Sequence, residues 1–227
     1  MNSDFSKINI VLDFDSTFVK VEGLEELARI ILRENPAKDD ILRNISEITK
    51  SGMGGDISFE ESLSRRIKLF QPKYQHLEEL VELLKCNVTN SIERNIDFFR
   101  LNCSHIYVIS GGFMEWILPV LLPYKIPKEN IFANEFLYSK AREIVGIDLN
   151  NPLSRSGGKV ITVESLNLPH TTIVVGDGYT DYEIKKTGVC DRFVMFAENV
   201  RRPSVEKVAD LVVEDWDEFL FKVGSLM

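Results

Sequence analysis

Cysteine is scarce in this chain. Cys86, Cys103 and Cys190 are the only three in 227 residues, and they stand far apart in no metal-ligand spacing. That excludes a disulfide-stapled scaffold and a thiolate metal site, and it fits packed thiols in a reducing compartment. Long apolar runs are missing as well. No stretch approaches ~20 continuous apolar residues, and Asp13 and Asp15 interrupt the first apolar run, so neither a membrane span nor a signal peptide is expected. Basic clusters are also missing. Lys and Arg number 27 against 35 Asp and Glu, a net charge of −8, which argues against a nucleic-acid surface. The pair Arg201-Arg202 reads as a solvated helix start or a local salt-bridge partner. There is no internal repeat and no low-complexity stretch. The Asn-X-Ser/Thr patterns at Asn44, Asn87 and Asn102 carry no meaning without secretion, and a cytoplasmic address is expected. The sequence gives no expectation of oligomeric state.

What is present is ordinary globular composition, 44% hydrophobic and 27% charged. A chain of this length can bury a sizeable core unaided. Ile8 to Phe14 reads as a first strand. The following segment shows helical spacing and no strand: Leu24, Leu27, Ala28, Ile31 and Leu32, then Ile41, Ile45 and Ile48. Ser58 and Glu61 form a capping-box pattern opening a helix through Phe70, and a fourth helix spans Tyr74 to Lys85. Ser91 to Asn102 and Phe113 to Leu122 read as helices, with Pro119 kinking or shortening the second. Short strands are expected at Ile106–Ile109, Ile131–Ala133, Thr172–Val175, Arg192–Phe196 and Asp210–Val213. A hairpin is expected from Phe136–Tyr138 and Glu143–Ile147, and helices at Lys159–Leu166 and Asp181–Lys186. Alternating strands and helices imply an α/β fold with a parallel sheet covered on both faces. The core is expected in residues 1–19 and 85–227, with an inserted helical domain, residues 20–84, hanging over the end of the first strand as a lid would.

That strand end carries Asp13-Phe14-Asp15-Ser16-Thr17. Carboxylates two positions apart in extended chain point to one side and repel each other, so they require a cation, a shared proton or a polar substrate. Ligands of open α/β sheets bind at the carboxyl ends of the strands. Three further groups are expected at the same rim. Ser110-Gly111-Gly112 offers a hydroxyl and exposed amides to an anion. Lys159, in Ser156-Gly157-Gly158-Lys159, is electrostatically misplaced at a helix start unless an anion lies nearby. Gly176-Asp177-Gly178-Tyr179-Thr180-Asp181 supplies two more hard oxygen ligands suited to Mg²⁺. Each has an innocuous reading as a turn, a surface lysine or an N-cap. Together, several carboxylates gathered on one rim without counter-charge would be costly to bury, and a divalent metal, Lys159 and a phosphate satisfy them mutually. The pattern points to metal-assisted phosphoryl chemistry.

These four motifs, in this order, resemble those of the haloacid dehalogenase superfamily. Within it the chain looks most like the phosphoserine phosphatases, through Glu22-Gly23, Met53-Gly54-Gly55, Phe59, Arg66 with Leu69-Phe70-Gln71-Pro72, Ser110-Gly111-Gly112-Phe113 and Ile131-Phe132-Ala133-Asn134. The resemblance covers nearly the whole chain. It implies a Rossmann-like core with a small helical cap and a β-hairpin flap, and hydrolysis of O-phosphoserine, the last step of serine biosynthesis, through an aspartyl-phosphate. Asp13 is implied as nucleophile and Asp15 as acid and base. Mg²⁺ would be held by Asp13, the Asp15 carbonyl and Asp177, with Asp181 close by. Ser110, Gly111 and Lys159 are implied for the phosphate. For the rest of the substrate the resemblance implies Glu22 on the ammonium, Arg66 on the carboxylate, Met53 and Phe59 excluding water, and Thr180.

The chain departs from the family pattern in three places. Val21-Glu22-Gly23 replaces a Glu-Glu-Gly, Thr180 stands where many relatives have Asn, and Phe196-Ala197-Glu198-Asn199 replaces a glycine-richer loop. An inward Glu198 would repel an anionic substrate. Two alternatives stay open: a related enzyme that hydrolyses another small phosphomonoester or passes phosphate to an acceptor alcohol, and a non-catalytic binding protein on the same fold.

Overall fold

The computed structural model describes residues 5–54 and 56–224, with the side chains of residues 50 and 52–54 outside that description. Six strands build one parallel sheet: β1 (Ile8–Leu12), β2 (Ile106–Phe113), β3 (Ile131–Asn134), β6 (Thr171–Gly176), β7 (Arg192–Phe196) and β8 (Leu211–Val213), in the order β3-β2-β1-β6-β7-β8. β4 (Phe136–Tyr138) and β5 (Ile144–Ile147) form the separate antiparallel hairpin. β1 sits in the middle, with Leu12 in register with Val108 on one side and Val175 on the other.

The β-branched strands are buried on both faces, and their alternation sorts them into two cores. Ile10, Leu12, Val108, Ile173, Val175 and Val194 face one; Val11, Ile109, Val174 and Met195 face the other. Each fully buried aliphatic side chain contributes roughly 1.5–3 kcal/mol. Because the sheet is parallel, the carboxyl ends of β1, β2 and β6 reach the same edge.

Four helices follow β1: α1 (Gly23–Ile31), α2 (Lys38–Gly54), α3 (Phe59–Phe70) and α4 (Tyr74–Lys85). Ser58 caps α3, its Oγ accepting from Glu61 N at 3.2 Å, and α3 ends at Gln71 in left-handed backbone just before Pro72. The chain enters and leaves this helical stretch at one place. Lys20 N donates to Asn87 O at 2.8 Å, and Val19 bridges to Val88. The remaining helices are α5 (Asn90–Arg94), α6 (Ile96–Leu101), α7 (Met114–Leu121), α8 (Gly158–Leu166), α9 (Tyr179–Lys186), α10 (Pro203–Glu206) and α11 (Trp216–Gly224).

Several expectations need correction. β1 stops at Leu12, because the chain turns at Asp13 to close a wide loop, with Val19 N donating to Phe14 O at 3.0 Å. The expected helix over Ser91–Asn102 is two helices broken at Asn95, whose side chain donates to Ser91 O and to Asp217 Oδ1 in place of regular helix geometry. β2 runs on through Ser110-Gly111-Gly112 to Phe113, so this segment is strand with an irregular register and not a turn, and α7 begins one residue later than expected. Pro119 is accommodated inside α7, which ends two residues beyond it. The short helix α10 begins just after Arg201-Arg202, where one reading of that pair places a helix start, and the C-terminal helix α11 carries no expectation from the sequence.

Candidate active site

The site begins where β1 ends. Asp13 is extended at φ −71° and ψ 158°, and its Oδ1 accepts from Phe14 N at 2.7 Å. Ser16 then takes φ 56°, a left-handed conformation unusual for a residue with a side chain, and this bends the loop back over the sheet edge. Asn199 holds the bend. Its Nδ2 donates to Ser16 O (3.1 Å), Thr17 O (3.3 Å) and Thr89 Oγ1 (2.7 Å).

Lys159 comes from the start of α8. Its Nζ lies 2.7 Å from Asp13 Oδ1 and 2.7 Å from Asp181 Oδ1. The dipole mismatch expected at this helix start is met here by two carboxylates. Gly158 permits the approach: a Cβ there would stand 2.1 Å from Pro152 O. Asp177 follows β6 and is buried, accepting from Thr17 Oγ1 at 3.3 Å and from Arg202 Nε at 2.7 Å. Asp181, in the first turn of α9, packs against Gly176, where a Cβ would meet its Oδ2 at 2.3 Å.

Asp13, Asp177 and Asp181 each bring a carboxylate oxygen within 4.8 Å of the others. All three are buried. Burial and then the Asp13 charge raise the Asp177 carboxyl, with Arg202 opposing the shift. The same two causes push Asp181 up to about 8 against the pull of Lys159. Burial works against the charge on Lys159, yet the adjacent Asp13 and Asp181 carry its pKa upward overall. Two cations therefore only partly neutralise this cluster, and a small hard divalent ion fits its oxygen donors.

Asp15 lies outside that triad. Its Oδ1 accepts from Gly23 N at 2.7 Å and its Oδ2 from Ser110 Oγ at 3.3 Å. Two glycines make room for it: a Cβ on Gly23 would be 3.2 Å from Oδ1, and one on Gly112 would be 3.0 Å from Oδ2. Burial first, then the charge of Glu22, raises the Asp15 pKa well above the ordinary carboxylate range. A carboxyl whose pKa is raised in this way is better suited to give a proton.

The helical stretch contributes the other predicted residues. Glu22 Oε1 accepts from Ser16 Oγ at 2.6 Å, and burial raises its pKa. Phe59 reaches over Gly111, its ring tip 3.4 Å from where a Cβ would sit, and Phe59 N donates to Ser156 Oγ at 3.4 Å. Arg66 donates through Nε to Ser62 O at 3.3 Å. Burial lowers its pKa, while the fields of Glu22, Glu25 and Asp15 oppose that shift. Among the described residues Arg66 makes no ion pair. Thr180 is exposed in the first turn of α9. Met53 falls near the end of α2, with its side chain outside the described residues.

Sequence reasoning missed Arg202. Arg201 forms local ion pairs with Glu206 and Glu214, as expected, whereas Arg202 reaches into the acidic cluster. Only its adjacency to a second arginine and to Pro203 is visible in the sequence, and neither signals a site. Glu198 does not point at the cluster. It accepts from Ser91 N at 3.1 Å and from Ser91 Oγ at the start of α5, so the expected source of repulsion is absent.

The six-stranded parallel sheet, with its acid-bearing turn after the central strand, defines the haloacid dehalogenase class of fold, which a hydrolase of that family from Salmonella enterica shares at TM-score 0.73 and 20% identity over 95% of this chain and 70% of its own. No protein-family model matches the chain. It is 36% identical over 221 residues to the chloroplastic phosphoserine phosphatase of Arabidopsis thaliana, covering 96% of this chain and 70% of that one. It is 30% identical over 219 residues to the human phosphoserine phosphatase, covering 95% and 93%. A crystal structure of a phosphoserine phosphohydrolase-like protein from Francisella tularensis superposes with a TM-score of 0.82 at 31% identity, covering 95% of this chain and 99% of that one. A phospho-aspartyl intermediate analogue of a phosphoserine phosphatase superposes at 0.73 with 25% identity, covering 95% and 98%. The chain belongs to the phosphoserine phosphatase family. No described helix is long and apolar enough to cross a membrane.

Proposed function

We propose that this protein hydrolyses O-phosphoserine to serine and phosphate. The observation that carries the reading is the pairing of a buried Asp13–Lys159–Asp181–Asp177 cluster with two oppositely charged groups, Glu22 and Arg66, that make no ion pair with each other. A zwitterionic phosphomonoester would satisfy all of them. The phosphate would meet Lys159, Ser110 and the Gly111 amide. The ammonium would meet Glu22, and the carboxylate the guanidinium fork of Arg66. Met53, Phe59 and Thr180 would border the serine moiety.

Asp13 attacks phosphorus. The bond from phosphorus to the serine oxygen breaks as an aspartyl-phosphate forms, and Asp15 donates its proton to the departing oxygen. Asp15 then accepts a proton from the water that hydrolyses the aspartyl-phosphate and returns Asp13 as a carboxylate. Splitting one displacement into two in this way lowers each barrier. Mg²⁺ held by Asp13, the Asp15 carbonyl and Asp177, with Asp181 in support, would supply neutralisation of the phosphoryl charge. Residues 20–84 act as the cap over a core formed by 1–19 and 85–227. Cap closure excludes water while Phe59 seats over Gly111. The compartment that suits this chemistry and the three isolated cysteines is the cytoplasm.

Release of phosphate from a panel of phosphomonoesters tests the reading. O-phosphoserine is expected to be the preferred substrate, with activity dependent on Mg²⁺ and abolished in Asp13→Asn. Equal turnover of phosphoethanolamine would overturn the substrate, and an active Asp13→Asn would overturn the covalent route.

A further inference from the structure

Asn134, the last residue of β3, is fully buried, and its side chain spans the gap between two motifs. Its Nδ2 donates to Gly111 O at 2.9 Å and to Leu153 O at 3.1 Å. Both partners are carbonyls, so only the amide nitrogen can face them. Its Oδ1 has no hydrogen-bond partner among the described residues and is shielded from water. A buried, unpaired acceptor is unfavourable, so an apolar residue of similar size would suit this position better unless the two donors are needed.

Each donor serves a different part of the site. The Gly111–Gly112 peptide is gripped at its carbonyl by Asn134 and at its N–H by Ser110 Oγ, at 2.9 Å. That segment is out of ladder register with β3, so the ladder does not set its orientation. Leu153 belongs to the turn against which Gly158 packs, and Gly158 immediately precedes Lys159. The turn is also tied to β3 by Asn151, whose Nδ2 donates to Ala133 O at 2.7 Å, so its attachment does not depend on Asn134 alone.

We propose that Asn134 is a positioning residue that locks the Gly111–Gly112 peptide, which adjoins the Gly111 amide, and the turn that seats Lys159 at the start of α8 into a single phosphate-binding unit. It touches neither substrate nor metal and acts through both motifs at once. This rests on the assignment of Gly111 and Lys159 to the phosphate.

The test measures the affinity of the Mg²⁺-loaded protein for inorganic phosphate by calorimetry, in Asn134→Ser, Asn134→Ala, Lys159→Ala and the double variant Asn134→Ser/Lys159→Ala. Each Asn134 variant is expected to weaken phosphate binding about tenfold. KM should rise more than kcat falls, and Mg²⁺ affinity should stay within about twofold of wild type. In the Lys159→Ala background the further loss should shrink to about twofold, because coupled residues are not additive. Unchanged phosphate binding in a folded Asn134→Ser would overturn the proposal. So would full additivity with Lys159→Ala, or an equal loss of Mg²⁺ affinity, which marks general loosening. If Lys159→Ala itself leaves phosphate binding intact, the phosphate-site assignment fails, and the proposal with it. If Asn134→Ala does not fold, Asn134→Ser, which keeps one donor, decides.

Discussion

Arg202 donates through Nε to Asp177 Oδ2 at 2.7 Å, where the carboxylate is buried and the guanidinium about one-third exposed. Lys159 is shared between Asp13 and Asp181 in the same cluster. The carboxylate that Arg202 engages belongs to the acidic triad that could hold a divalent ion.

Removing this arginine therefore has two expected consequences. Arg202→Ala should lower the melting temperature of the metal-free protein, because a buried carboxylate loses its partner. It should also tighten Mg²⁺ binding several-fold, since Asp177 no longer has to exchange an ion pair for the metal. Titration calorimetry with Mg²⁺ measures the second effect. Weaker Mg²⁺ binding would mean that Arg202 orients Asp177 for the metal rather than competing with it.

The cluster also makes stability depend on pH. Asp15, Glu22, Asp177 and Asp181 all have raised pKa values in the folded protein. The folded state then binds more protons than the unfolded chain between the ordinary carboxylate range near 3.8 and the Asp181 value of about 8. Stability falls with rising pH wherever the native state holds the extra protons. The metal-free protein is expected to melt at progressively lower temperature as pH rises through that window. Saturating Mg²⁺ should flatten the dependence, because the ion neutralises the charges that the protons otherwise cancel. Thermal melts across pH with Mg²⁺ and with a chelator provide the measurement.

Arg66 and Glu22 should separate substrates rather than chemistry. Arg66→Ala is expected to raise KM for phosphoserine at least about tenfold, since a bidentate charge-assisted contact is lost. The same variant should barely alter turnover of phosphoethanolamine, which has no carboxylate. Glu22→Gln should weaken both substrates, because both carry the ammonium. Steady-state kinetics on the two substrates decides; parallel losses in Arg66→Ala would remove Arg66 from carboxylate recognition.

Gly158 tests how tightly Lys159 is delivered. A Cβ there would lie 2.1 Å from Pro152 O, an overlap that backbone movement must relieve. Gly158→Ala is expected to cost roughly 1–3 kcal/mol. At about 2–4 °C per kcal/mol for a chain of this size, the loss is readable in a thermal melt. Activity should fall further than stability alone explains, because the shift displaces Lys159 from Asp13.

The local signals were the legible ones. Apolar spacing near 3.6 marked α1 and α2, a capping box marked α3, and runs of β-branched residues marked β1 and β6, because a helix stripe, a cap and a buried strand are written in nearby residues. Asp13, Ser110, Lys159 and Asp177 could be placed at one sheet edge as soon as parallel strands were expected. The break at Asn95, the strand that continues through Gly112 and the reach of Arg202 were not legible, since each depends on a partner brought near only by folding. Arg202 and Asp177 are 25 positions apart, and Glu198 finds Ser91 across 107.

Asp13-Phe14-Asp15 carries the acids, their order and the strand that presents them, and these are properties of adjacent residues. Packing supplies the difference between the two carboxylates. Lys159, arriving from α8, pairs with Asp13, whereas Gly23, Glu22 and Ser110 enclose Asp15, whose pKa burial raises. A pKa is set by solvation and by charges within a few ångströms. Those distances come into being only when residues far apart along the chain fold against each other.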